Sequence, residues 1–240
     1  SKGETTGESD LVSFDNPRSH TAEAFRTLRT ALAFSYPGEN IKSLVVSSAL
    51  PSEGKSLAAL NLAITQAQAN KRTLLIDADM RKPRIHKVFN LTNRQGLSGL
   101  LAGTETRDLT ELTAATQIEN LDFLPCGPIP RSPVELIEGE RFSGLMERIL
   151  EEYDFVVIDS HPGVSLVDSI VMAKHTDGLL LVVRGFVTPK AAAAQFVNRL
   201  TEVDARLLGV VMNNVDTPRG SIYGTGYYYG GTAKEGKYYR

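Results

Sequence analysis

Four side chains in this sequence are of the types that handle phosphate: Lys55, Asp77, Asp79 and Asp159. Lys55 lies in Ala49-Leu50-Pro51-Ser52-Glu53-Gly54-Lys55-Ser56, which has the spacing G-x-x-x-x-G-K-[ST] with alanine at the first glycine. Backbone N–H groups of a tight loop that runs into a helix N-terminus point at phosphate oxygens. Gly54 lets the backbone approach closely, Lys55 is placed to reach the β and γ phosphates, and Ser56 offers a hydroxyl to Mg²⁺. Pro51, Ser52, Glu53 and Leu57 complete the stretch expected to wrap the nucleotide. Gly-Lys-Ser tripeptides are common; a buried strand before this one and a helix after it give the pattern its weight. Ala49 and Ser52 are read as positions where the loop does not need a positive φ.

The three aspartates close apolar runs. Asp77 ends Thr73-Leu74-Leu75-Ile76, with Asp79 two residues on, and Asp159 ends Tyr153–Ile158. Extended geometry sends Asp77 and Asp79 roughly the same way. An apolar strand closing on Asp suits a water-mediated Mg²⁺ contact; turn aspartates are the plain alternative for the first pair. Asn213 ends the run Leu207–Asn213 and either hydrogen-bonds a base or makes an Asx turn. His161 reads as a partly exposed loop residue rather than a base. Cys126 reads as a small buried side chain.

Strand and helix patterns alternate along the chain. A helix spans about Ser19–Phe34, strands begin near Leu44, Thr73, Leu121, Tyr153, Leu179 and Leu207, and helices lie between them. This predicts an α/β fold of the P-loop NTPase kind, a mostly parallel sheet with helices on both faces. Residues 1–16 read as a flexible lead-in, 17–218 as one domain and 219–240 as a flexible tail. On the first long helix Glu23, Arg26 and Arg29 recur every three residues, as a solvated charged face or a subunit contact.

The 240 residues, 42% apolar, describe a globular protein. A net charge of −2 and a pI near 6.1 give no general attraction to nucleic acid. One cysteine excludes an internal disulfide and fits a reducing compartment. No run approaches 18 apolar residues and no signal peptide is recognisable, although a chain opening on Ser1 reads as an excised fragment or tagged product. Six of the eight tyrosines fall in the tail: Tyr223, Tyr227, Tyr228, Tyr229, Tyr238 and Tyr239. Such a tail is an aromatic interaction segment, an inert terminus or a set of phosphoryl acceptors. The attached nucleotide loop favours the last. Each phosphate would add roughly −1.5 to −2 charges, enough for mutual repulsion to act as a release switch.

Together these motifs resemble the cytoplasmic kinase domain of the bacterial tyrosine kinases (BY-kinases) of polysaccharide export, relatives of the deviant-Walker ATPases that partition plasmids and place division sites. The resemblance rests on Pro51–Ser56, on Leu74-Leu75-Ile76-Asp77-Ala78-Asp79-Met80-Arg81, on Val156-Val157-Ile158-Asp159-Ser160, and on the tyrosine cluster. A fifth match, Glu-x-x-Arg-x-x-Arg at Glu23, Arg26 and Arg29, moves those residues toward an oligomer interface. The resemblance implies ATP and Mg²⁺ as cofactors and autophosphorylation of the tail in trans within a ring. It implies Lys55, Asp77, Asp79 and Asp159 as catalytic residues, Ser56, Asp77 and Asp159 around the metal, and Asp77 nearest the attacking phenol. It further implies a membrane-anchored activator or fused transmembrane segment, a cognate tyrosine phosphatase, and a place in the cytoplasm at the inner face of the membrane. Ser52 stands where the family usually has glycine and His161 where it has proline; neither change removes a ligand. A dimerising ATPase switch and a non-catalytic nucleotide-dependent scaffold are the alternatives.

Overall fold

The computed structural model describes residues 9–163 and 168–214. In chain order the elements are α1 (Val12–Asp15), α2 (His20–Phe34), β1 (Ser43–Ser48), α3 (Lys55–Ala67), β2 (Thr73–Asp77), α4 (Ile85–Val88), α5 (Leu97–Ala102), α6 (Leu109–Leu112), β3 (Ala114–Ala115), β4 (Leu121–Leu124), α7 (Pro133–Glu138), α8 (Glu140–Glu152), β5 (Phe155–Asp159), α9 (Asp168–Ala173), β6 (Leu179–Arg184), α10 (Lys190–Glu202) and β7 (Leu207–Asn213).

The strands form one sheet in the order β3-β4-β2-β5-β1-β6-β7, parallel except for the β3–β4 pair. Their apolar, β-branched runs are continuous because both faces are covered. Successive side chains point to opposite faces. Leu44 and Val46 therefore pack with α2 and α3 on one side, together with Leu75, Val157 and Leu180. Val45 packs on the other side with Ile76, Ile158 and Leu181, beneath α5 to α10. The strands β2, β5 and β1 are neighbours, so the three segments that end in phosphate-handling residues open at one edge. Ligands of open α/β sheets bind at such carboxyl ends.

Residues 9–16, part of the segment expected to be a flexible lead-in, are held against the domain. Leu11 and Val12 are buried. The Ser13 amide donates to Asn61 Oδ1 at 2.8 Å, and Asn61 Nδ2 donates to the Asp10 carbonyl at 2.9 Å. Asn61 lies on α3, so this first helix is strapped along the helix that begins at Lys55. A two-residue apolar step inside a polar stretch is too short to show a period, which is why the strap escaped a reading by pattern. Ser19 caps α2 by accepting from the Ala22 amide at 3.1 Å. Among the described residues no helix is long and apolar enough to cross a membrane.

Candidate nucleotide and phosphoryl-transfer site

The loop from β1 to α3 is held from outside. Glu53 is buried, and its Oε2 accepts from the Leu50 amide at 2.6 Å. Its Oε1 accepts from the Thr188 hydroxyl, which in turn accepts from the Arg184 amide at 2.7 Å. Asn213 Nδ2 donates to the Glu53 carbonyl at 3.0 Å. Gly54 has φ +94°, and a Cβ there would stand 2.0 Å from Asn213 Nδ2. The glycine is thus required twice, by its backbone and by the packed amide. Glu53 and Asn213, both expected at the nucleotide, shape the loop through these contacts. Pro51 and Ser52 are exposed at its tip and Leu57 is half-buried. Ser52 has φ +64°, contrary to the expectation that the loop would need no left-handed residue there. Glycine is the residue that adopts this conformation without cost, which is the physical content of serine standing in a glycine position.

Lys55 opens α3, and its ammonium meets three groups: Asp79 Oδ2 at 2.9 Å, Ser56 Oγ at 3.2 Å and Asp159 Oδ1 at 3.4 Å. Burial works against its charge, but Asp159 and Asp79 outweigh it and hold the ammonium above the usual lysine range. Asp159 has no solvent exposure, and its Oδ2 has no hydrogen-bond partner. Burial drives its carboxyl upward against the pull of Lys55 and Ser56. An orphaned carboxylate oxygen beside Lys55 and Ser56 fits a Mg²⁺ ion that keeps most of its water and takes one or two protein ligands. Among the described residues no three His, Cys, Asp or Glu side chains form a closed metal cage.

Asp77 and Asp79 do not share partners. Asp77 Oδ2 accepts from the Arg84 and Ile85 amides, both at 3.1 Å, while Oδ1 has the Asp79 amide at 3.3 Å. Burial, and then the charge of Asp159, push its carboxyl up to about 7. Asp79 reaches back to Lys55 because the chain leaves extended geometry after Asp77. The two aspartates therefore part where they were expected to run parallel. Arg84 also bridges to Asp10, with Nη2 at 3.0 Å from both carboxylate oxygens.

His161 is the partly exposed loop residue the sequence suggested, and it also touches the site. Its Nδ1 lies 2.9 Å from Asp79 Oδ1, with 17% of the side chain exposed. Burial raises the Asp79 carboxyl, but the bond from His161 and the charge of Lys55 prevail and hold it well below the usual carboxylate range. The only sequence signal was proximity to Asp159, and the contact crosses between loops 82 residues apart. Cys126 is buried as expected, its thiol pushed up by burial and by Asp77 and Asp79. Arg81 is engaged in its own chain, with Nε 3.2 Å from Asp168 Oδ2.

On α2, Arg26 pairs with Glu23 at 2.5 Å and donates to the Pro17 carbonyl at 2.7 Å. Arg29 donates to the Thr65 carbonyl at 2.7 Å, near the C-terminus of α3. Both arginines thus have partners within the chain, while Glu23 remains two-thirds exposed, its side chain at 66%. Tyr223, Tyr227, Tyr228, Tyr229, Tyr238 and Tyr239 lie outside the described residues.

Comparison with known proteins agrees with this geometry. Residues 45–209 match the AAA domain family. Tyrosine-protein kinase YwqD of Bacillus subtilis is 35% identical over 221 residues, 92% of this chain and 91% of YwqD. The crystal structure of the chimerical protein CapA2B2 is 38% identical with a TM-score of 0.82, over 87% of this chain and 91% of that one. The kinase domain of the Escherichia coli tyrosine kinase ETK is 30% identical with a TM-score of 0.82, over 92% and 84%. A ParA family ATPase from Chlorobium tepidum shares the fold, with a TM-score of 0.61 at 21% identity over 74% of this chain and 76% of that one. With the phosphate loop, Lys55 and the carboxylates of Asp77, Asp79 and Asp159 gathered at the carboxyl ends of the strands, the chain belongs to the bacterial tyrosine-protein kinases.

Proposed function

We propose that this chain is a magnesium-dependent protein-tyrosine autokinase that transfers the γ-phosphoryl group of ATP to tyrosines of its own tail, Tyr223, Tyr227, Tyr228, Tyr229, Tyr238 and Tyr239. What supports the reading is the convergence of Lys55, Asp79 and Asp159 within 3.4 Å, next to Asp77 at the end of the neighbouring strand.

Lys55 and the loop amides bind and orient the β and γ phosphates and stabilise charge that develops between them. Ser56 Oγ and the unpartnered Oδ2 of Asp159 are the atoms that would hold Mg²⁺, whose contribution when bound is to neutralise the phosphate oxygens. Asp77 accepts the phenolic proton. Its carboxyl near 7 suits that task at neutral pH better than an ordinary aspartate would. The tyrosine oxygen forms the new P–O bond, the bond from the γ phosphorus to the β–γ bridging oxygen breaks, and ADP leaves with that electron pair. Asp79 keeps Lys55 in the site before nucleotide arrives.

The same reading has the tail of one subunit enter its neighbour's site in a ring built on Glu23, Arg26 and Arg29. A membrane-anchored activator and a cognate phosphatase would set the phosphorylation level at the inner face of the membrane, where polysaccharide export would be regulated. Incubation with Mg²⁺ and γ-labelled ATP tests the activity. Label on tyrosine that disappears with Lys55→Met and with deletion of residues 219–240 supports it. Phosphate release without phosphotyrosine would instead favour an ATPase switch.

A further inference from the structure

We infer that His161 is a positioning residue for Lys55, acting through Asp79 to keep the lysine releasable to the nucleotide. This rests on the reading of Lys55 as the phosphate-binding lysine, and it concerns a residue of this chain that departs from its family's usual pattern.

The Asp79 carboxylate is buried and shared. Oδ2 holds Lys55 at 2.9 Å; Oδ1 accepts from His161 Nδ1 at 2.9 Å, from the Lys82 amide at 3.0 Å and from the Arg81 amide at 3.3 Å. An ionised carboxylate only accepts, so Nδ1 carries the proton in this contact. All three Lys55 N–H donors are engaged, by Asp79, Asp159 and Ser56, so the ammonium serves the phosphates only by loosening this hold. Nucleotide binding therefore has to strip a lysine from a buried carboxylate, a costly step unless that carboxylate keeps other donors.

His161 lowers the cost in two ways. Its hydrogen bond spreads the charge of Asp79, which weakens the hold on Lys55. It also stays in place after Lys55 leaves, as a side-chain donor to a carboxylate otherwise left with two backbone amides. Both effects favour the released lysine, so deleting the donor must strengthen the resting pair and weaken nucleotide binding. A hydrogen bond to a charged group is strong enough for its loss to shift that balance by about tenfold.

The test uses the full chain as wild type, His161→Ala and His161→Asn. An asparagine amide nitrogen falls close to the position of Nδ1 and can restore the donor without the ring. The readouts are the Kd for Mg²⁺ with a fluorescent ATP analogue and the ¹⁵N signal of the Lys55 ammonium, assigned with Lys55→Met. Thermal unfolding checks that each variant is folded. The expected result is a Kd about tenfold higher in His161→Ala, a shifted Lys55 signal in its nucleotide-free form, and recovery of both in His161→Asn. Unchanged Kd in His161→Ala, an unmoved Lys55 signal, or an asparagine variant as weak as the alanine one would each overturn the inference. A wild-type protein that binds the analogue but never forms phosphotyrosine would sink the kinase reading and leave this one intact; a wild type that binds no analogue would overturn both.

Discussion

Asp77 and Asp159 stand side by side, the last residues of adjacent parallel strands paired in register. Two carboxylates so placed and fully buried cannot both ionise cheaply, and burial pushes both upward, Asp77 to about 7.

This pair sets a pH dependence in the metal-free, nucleotide-free protein. From about pH 4 to about pH 7 the folded state keeps a proton on Asp77 that the unfolded chain has released, so stability falls as pH rises through that window. Asp159, also raised, works in the same direction. Asp79 is lowered and has the opposite sign; its contribution is present above the ordinary aspartate value and disappears only in stronger acid. Asp77→Asn should reduce the loss of stability between pH 5 and pH 7 by about 3 kcal/mol at most. Urea midpoints at the two pH values measure it, and an unchanged slope would show that Asp77 does not titrate there.

Ser52→Gly should stabilise the protein. A serine at φ +64° costs about 1 kcal/mol that glycine does not incur, and the gain should raise Tm by about 3 °C. A lower Tm would mean that the serine hydroxyl contributes more than its backbone costs.

Thr188→Val removes the hydroxyl that joins the loop after β6 to Glu53. The phosphate loop loses an outside brace and Glu53 Oε1 loses its donor. The Kd for Mg²⁺·ATP should rise about fivefold, in line with one hydrogen bond to a charged group. Isothermal titration of the two proteins decides it.

Deletion of residues 1–16 should cost about 3 kcal/mol, since Leu11 and Val12 are both buried against the rest of the chain. Chemical denaturation checks this. A truncated chain as stable as the full one would restore the expectation of a loose lead-in.

Most of the sheet was legible because β1, β2, β5, β6 and β7 are apolar runs closed by a polar residue; β3, two alanines long, carries no such pattern and was not anticipated. β2, β6 and β7 fall at the residues where the alternation places them. The phosphate loop and the strand-end aspartates were legible for a related reason: their spacing is local, so a linear pattern carries it. What escaped is non-local or conformational. The histidine at 161 gains its importance from a partner 82 residues away. Ser52 shows its left-handed backbone only in the closed loop, and the bracing of Glu53 depends on Thr188, 135 residues away. The separate engagements of Asp77 and Asp79 depend on where the chain bends after the strand, which two aspartates two residues apart do not encode.

The bidentate bridge from Asp10 to Arg84 has a mechanical meaning. The backbone amide of Arg84 is one of the two that grip Asp77 Oδ2, so one residue joins the start of the domain, tethered at Asp10, to the carboxyl of Asp77.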